Sequence, residues 1–201
     1  MCAIQLTSFS HIYFLHGEAT NDGSSVSVRV DVVNMRRPAA GWIEPEHGQE
    51  SVWEYPRPPR LEPVSARLRV VLGGATIAET AAGLRVLETS HPPNYYFPLA
   101  DVCAEALSAD QGSSWCEWKG RAHYYVVRGG DRAVPRAAWG YADPAPAYQA
   151  LGGTVAFYPA LMDECWVDGE LVSPQPGSFY GGWITKAVVG PFKGEPGSQS
   201  W

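Results

Sequence analysis

The chain has few cysteines, no long apolar run and little positive charge, and each shortage closes a class of protein. Its four cysteines, Cys2, Cys103, Cys116 and Cys165, are scattered through 201 residues with no C-x-x-C pair. That is too few for a disulfide-stapled secreted scaffold, and structural zinc sites draw on closely spaced ligand pairs at a turn. Zinc is therefore not expected; a site would need distant ligands such as Cys116, Cys165, His91 and His123 to converge. No apolar stretch reaches the ~20 residues that cross a bilayer as a helix, and the start lacks a basic region followed by an apolar one. No membrane association is expected, and the default location is the cytoplasm. Lys and Arg number 15 against 21 Asp and Glu, for a net charge of −6, so a polyanion-binding surface and a nucleic-acid partner are not expected.

Catalytic signatures are missing too. The chain holds no D-x-D pair and no G-x-x-x-x-G-K-[ST], and because no two glycines lie two apart it cannot hold G-x-G-x-x-G. There is no G-x-S-x-G elbow, and Ser113 and Ser114 have no visible triad partners.

Turn formers and aromatics are what the chain has in quantity, with 21 Gly, 17 Pro, 8 Trp, 10 Tyr and 6 Phe. Glycine and proline interrupt helices and serve turns, while aromatic rings supply bulky packing. The expected fold is mainly β, a β-rich α+β arrangement of compact antiparallel sheets made of short hairpins, with irregular Pro/Gly-rich straps at both ends. At 45% hydrophobic content the length suits one core with extensions.

Four regions follow. Residues 1–34 form an N-terminal extension, either a poorly ordered leader or an accessory hairpin, and Met35 offers an alternative start for the conventional protein. Within that extension, Asn21–Ser25 is a polar break and Val26–Val32 alternates like a strand. Residues 35–64 carry Pro38, Pro45, Pro56, Pro58, Pro59 and Pro63 among Trp42, Trp53 and Tyr55. That density excludes regular helix and central strand, and leaves an extended strap over the domain or a docking arm. Residues 65–172 are the β-rich core. Gly73-Gly74, Gly129-Gly130 and Asp168-Gly169 mark its hairpin turns, and Leu99, Val102, Cys103, Ala106 and Leu107 mark a short helix near 99–107. Residues 173–201 form a second strap.

The densest chemistry lies at residues 113–126, where Trp115, Cys116, Trp118, Lys119, Gly120, His123, Tyr124 and Tyr125 crowd together on two strands meeting near Lys119-Gly120. Strand alternation places Arg121, His123 and Tyr125 on one face, and Ala122 and Tyr124 on the other. Cys116 near Lys119 and His123 reads either as an activated thiolate or as a structural thiol. Lys is seldom fully buried, so Lys119 is expected to line an opening or to pair with Glu88 or Glu117.

Several motifs in order give the chain a family resemblance. Gly73-Gly74 with Ala78-Glu79-Thr80, Leu87-Glu88-Thr89, Pro92-Pro93-Asn94-Tyr95-Tyr96-Phe97-Pro98, Cys116-Glu117-Trp118-Lys119-Gly120, Trp139-Gly140-Tyr141 with Asp143-Pro144, and Val155-Ala156-Phe157-Tyr158 resemble the domain of unknown function 427 family. The resemblance covers residues 67–167 closely, and the flanks look like a longer bacterial version; residues 1–34 find no counterpart. It implies a compact β-rich fold, of β-tent type, and carries the label of a nucleotidyltransferase. It also groups Tyr95, Tyr96, Trp139 and Tyr141 with the central stretch as walls of one site.

The resulting expectation is a small-molecule or nucleotide-binding domain, with nucleotidyl transfer as the activity the label implies. Its ligand-binding set is Tyr95, Tyr96, Cys116, Trp118, Lys119, Gly120, His123, Tyr125, Trp139 and Tyr141, with no catalytic residue assigned. Mg²⁺ enters as a cofactor only if nucleotidyl transfer takes place. The alternative is a non-catalytic interaction domain that docks a partner through an aromatic surface or the proline-rich arm. Self-association into a homo-oligomer stays open.

Overall fold

A computed structural model describes residues 4–8, 11–19, 26–34, 41–198 and 201, the first three segments as backbone strands. The chain divides into two compact units, residues 1–42 and 43–201. In the first, β1 (Ile4–Ser8), β2 (His11–Ala19) and β3 (Val26–Asn34) pair as an antiparallel sheet. The alternating residues from Val26 onward are thus a strand. The break at 21–25 and the candidate start at Met35 lie outside the described residues.

The second unit begins with β4 (Glu50–Ser51), β5 (Arg60–Pro63), β6 (Leu68–Leu72), β7 (Ala75–Thr80), β8 (Leu84–Leu87) and β9 (Asn94–Pro98). It continues through β10 (Leu107–Cys116), β11 (Gly120–Gly129), β12 (Arg132–Gly140), β13 (Thr154–Phe157), β14 (Glu164–Val167) and β15 (Glu170–Leu171). Three short strands close it: β16 (Ser173–Pro174), β17 (Trp183–Ile184) and β18 (Val188–Val189). Seven strands form one antiparallel sheet in the order β10-β11-β12-β13-β9-β8-β5, and four form a second in the order β15-β14-β6-β7.

Because successive side chains on a strand face opposite ways, the seven-stranded sheet sorts its residues with a period of two. Tyr95, Phe97, Val127, Ala138, Val155 and Phe157 face one way and join Leu68, Val70, Leu72 and Ile77 of the smaller sheet in a fully buried core. Tyr96, Ala122, Tyr124, Trp139 and Ala156 face the other way, into a second and more aromatic cluster with Tyr141, Tyr148 and Leu151.

The hairpin turns read from the sequence are present. Asp168 and Gly169 both take positive φ, 47° and 79°, as a tight two-residue turn between β14 and β15 requires. Gly73-Gly74 and Gly129-Gly130 form the tips of neighbouring hairpins that press against each other. A Cβ on Gly73 would fall 2.1 Å from the Gly129 carbonyl oxygen, so bare backbone is needed at that contact.

Between residues 99 and 107 the chain makes two 3-10 turns, Leu99–Asp101 and Ala104–Ala106, rather than one continuous helix. β7 explains the interruption: Val102 bridges to Ala78, and the Cys103 N–H donates to the Ile77 carbonyl at 2.8 Å. Those bonds hold the middle of the segment extended, overriding its helical periodicity. Residues 108–112 are part of β10. Its register shifts between Ala109 and Ser113, opposite a shift in β12. Asp110 ties the two irregularities by accepting the Arg136 N–H at 2.8 Å.

The proline-rich and C-terminal segments meet over the outer face of the seven-stranded sheet. β4 pairs in parallel with β18, Trp53 Nε1 donates to the Pro191 carbonyl at 2.8 Å, and Trp53 and Tyr55 are buried. Among the described residues no helix is long and apolar enough to cross a membrane.

Candidate functional site

The aromatic face of the seven-stranded sheet opens into a cavity of about 510 Å³. Its floor follows from strand alternation. Tyr96 comes from β9, Trp139 from β12, and Ala122 and Tyr124 from β11. Ser114 and Cys116 share their face, because Ser114 pairs with Ala122 and Cys116 with Gly120. Tyr141 and Tyr158 complete the aromatic wall, and Gln175, Phe179, Tyr180, Lys193 and Trp201 of the C-terminal segment form the opposite side.

The floor is internally bonded. Trp139 Nε1 donates to the Tyr96 hydroxyl at 3.2 Å and stacks edge-on to its ring; the Tyr124 hydroxyl donates to Ser114 Oγ at 2.8 Å. Arg136 lies over the Tyr124 ring at 3.8 Å. Burial raises the pKa of the Tyr96 and Tyr141 phenols, and pushes that of Tyr158 up to about 12, so all three stay protonated at neutral pH. The thiol of Cys116 lines the same wall and is half-buried.

One edge of the cavity is charged. Lys119, only 10% exposed at its side chain, sits with Nζ 3.9 Å from a Glu88 carboxylate oxygen. Arg57 reaches the same carboxylate at 3.8 Å and Glu117 at 2.9 Å. The Glu117 hydrogen bond, and then the charge of Glu88, raise the Arg57 pKa against its partial burial. His91 stands beside them with its pKa lowered to about 4, first by burial and then by the charges of Lys193, Lys119 and Arg57. Its backbone follows Ser90, a buried residue held at φ 69°, which turns the chain sharply before the prolines. Trp118 contributes an indole N–H that is buried and has no hydrogen-bond partner among the described residues.

The structure therefore brings Tyr96, Cys116, Trp118, Lys119, Trp139 and Tyr141 to one cavity. Two expected wall residues lie elsewhere. Tyr95 points into the buried core and packs on Trp183, 5.3 Å between ring centres, and Tyr125 packs against that same core. Each is next in sequence to a tyrosine that does line the cavity, Tyr96 and Tyr124, and alternation sends adjacent residues to opposite faces. Gly120 and His123, with Arg121, border a second depression of about 570 Å³, on the far side of Trp118. Gly120 holds φ 95°, the left-handed conformation that lets the chain re-enter β11 after Lys119. His123, on the face opposite Cys116, cannot act as base to that thiol.

Sequence reasoning missed Arg57, His91, Tyr124, Tyr158, Gln175 and Lys193 as cavity residues. They come from distant segments that share no local pattern. Only Tyr124 was within reach, since its face is opposite that of Tyr125.

A Mg²⁺ ion would need acidic ligands. Among the described residues no three His, Cys, Asp or Glu side chains are grouped to hold a metal ion, and Glu88 and Glu117, the carboxylates at the cavity, are engaged by Lys119 and Arg57. These residues do not fit the ion. The distant zinc set does not assemble either, because Cys165 is buried in the other core and His123 faces outward.

A family model described as Domain of unknown function (DUF427) matches residues 60–168, more than half of the chain. No curated protein matches it.

Proposed function

The chain belongs to the domain of unknown function 427 family, and on that premise we propose that it is a small-molecule-binding protein whose cavity receives a flat, unsaturated molecule bearing an anionic group, the class to which nucleotides belong. The observation that carries this reading is the pairing of an aromatic floor with buried, underused donors. Lys119 meets its counter-ion only at 3.9 Å, beyond hydrogen-bonding distance, and the Trp118 N–H has no acceptor among the described residues. Leaving a buried N–H without a partner costs about 1–3 kcal/mol, so a ligand that supplies an acceptor gains that energy on binding. Aromatic walls supply the complementary surface for a planar ring.

Nucleotidyl transfer by a protein-held Mg²⁺ has no support in the acids present. A second reading, docking of a protein partner, draws on Trp115 and Phe179, which line the cavity yet are 75% and 73% exposed.

A thermal-shift screen of metabolites with and without Mg²⁺ tests the first reading. Planar anions at a hundredfold excess over their Kd should raise the melting temperature by about 5–10 °C. No stabilisation by any planar anion, together with partner capture that is lost in Trp115→Ser and Phe179→Ser, sinks it in favour of the second.

A further inference from the structure

The pair His91 and Gln175 fixes what kind of atom the ligand presents to the charged edge. Gln175 is 2% exposed, and its amide is fully engaged. Its Oε1 accepts the Gly182 N–H at 3.1 Å, and its Nε2 donates to the Lys193 carbonyl at 2.8 Å. A main-chain N–H only donates and a carbonyl only accepts, so these two contacts determine which end of the amide is nitrogen. The second proton on Nε2 serves His91 Nδ1, 3.0 Å away. Nδ1 is then an acceptor, and a neutral imidazole that accepts at Nδ1 carries its proton on Nε2.

We propose that His91 is a neutral hydrogen-bond donor to the bound ligand, locked in its Nε2–H form by Gln175, and that the ligand edge facing it consists of acceptors only, as in a carboxylate or a phosphate. This deepens the cavity reading above and rests on it for the ligand, but the state of the His91 ring does not depend on that reading.

Three further observations agree. His91, Trp118 and Lys119 all line the cavity, and in these states each donates without accepting. The Nε2 atom of His91 has no partner among the described residues, whereas the carboxylates nearby are engaged, Glu88 by Lys119 and Arg57, and Glu117 by Arg57. The ring is surrounded by charge that opposes a second proton, from Lys193, Lys119 and Arg57, and Tyr180 covers it edge-on at 4.8 Å between ring centres. A ligand offering an amine at this edge would leave donors facing donors in a buried site, which is discrimination by an unpaired group.

The test uses long-range proton–nitrogen NMR of the histidine rings in the full chain, with His91 identified by the signals lost in His91→Asn. The expected spectrum at neutral pH is that of the Nε2–H form, persisting to about pH 5 given ionisation near 4. An Nδ1–H ring or an imidazolium at neutral pH overturns the proposal. Gln175→Met should move His91 toward a mixture of tautomers; if that variant does not fold, the wild-type spectrum still decides. Naphthoate, naphthylamine and inorganic phosphate are then titrated separately. A shift of the His91 Nε2–H signal by naphthoate or phosphate supports the acceptor-only edge and tells the two anion types apart, while naphthylamine binding as tightly as naphthoate overturns it. If no probe disturbs the cavity although the Nε2–H form is present, the cavity reading fails and the locked donor stands.

Discussion

The two faces of the seven-stranded sheet are built from the same kinds of side chain and have opposite consequences. On the face toward the smaller sheet, Phe97, Phe157, Tyr95 and Trp183 interlock, with Phe97 and Phe157 edge-on at 5.5 Å, and the Trp183 indole N–H finds the Phe157 carbonyl at 3.2 Å. On the other face, Tyr96, Tyr124, Trp139 and Tyr141 also cluster, but a cavity opens above them and one indole N–H, that of Trp118, has no acceptor among the described residues. Aromatic content therefore does not distinguish a core from a cavity wall in this protein. The difference lies in whether the polar atoms of the rings are satisfied within the chain, and whether charged groups such as Lys119 are drawn in beside them.

The largest expected effect comes from truncating one residue on the closed face. Phe97→Ala should remove about 3–5 kcal/mol of stability, measured by urea denaturation, because a fully buried ring leaves a void that the packed sheets fill only partly. Stability retained within about 1 kcal/mol would mean that this face is not the closed core described.

The next largest effect is one of pH on the open face. The unfolded His91 ring ionises near 6.5 and the folded one near 4, so between those values the unfolded chain binds more protons. The associated stability is fully present above pH 6.5 and is lost as pH falls through that window, by about 3 kcal/mol at its foot. His91→Asn should flatten that part of the wild-type profile. Parallel profiles for the two proteins would show that the ring is not held neutral by the cavity edge.

Part of this contrast between the two faces is legible in the sequence. Alternation in β9, β11, β12 and β13 and the Gly-Gly and Asp-Gly turns are local, and they foretell the sheet. So does the concentration of Cys116, Trp118 and Lys119 beside a tight turn. Which of two adjacent tyrosines faces the cavity is not local: Tyr95-Tyr96 and Tyr124-Tyr125 each alternate correctly, but the choice of face is made by the smaller sheet covering one side. The 99–107 periodicity misled for a related reason, since β7 supplies bonds to Val102 and Cys103 that a helix would forgo. His91, Gln175 and Lys193 were illegible because the C-terminal segment brings them together across more than eighty residues, through contacts such as the Lys193 N–H to the Ser90 carbonyl at 2.8 Å.

Two smaller effects sharpen the open face. Lys119→Met should weaken naphthoate binding about tenfold, while stability changes by no more than about 1 kcal/mol. The charge removed is poorly matched, at 3.9 Å from Glu88, and Glu88 keeps Arg57 as a partner at 3.8 Å. Unchanged affinity in calorimetric titration would remove Lys119 from the site.

The smallest expected effect is at Tyr124, whose ring belongs to the floor and whose hydroxyl donates to Ser114 Oγ at 2.8 Å. Tyr124→Phe keeps the ring, its buried area and the Arg136 guanidinium stacked on it at 3.8 Å, and removes the hydroxyl that bonds Ser114 and also reaches Tyr158. The cost in urea denaturation should be about 1 kcal/mol, since Ser114 is half-exposed and water can replace the lost donor. A loss several times larger would mean that the hydroxyl secures β10 against β11 beside its irregular register, which would make the floor depend on its polar atoms for stability.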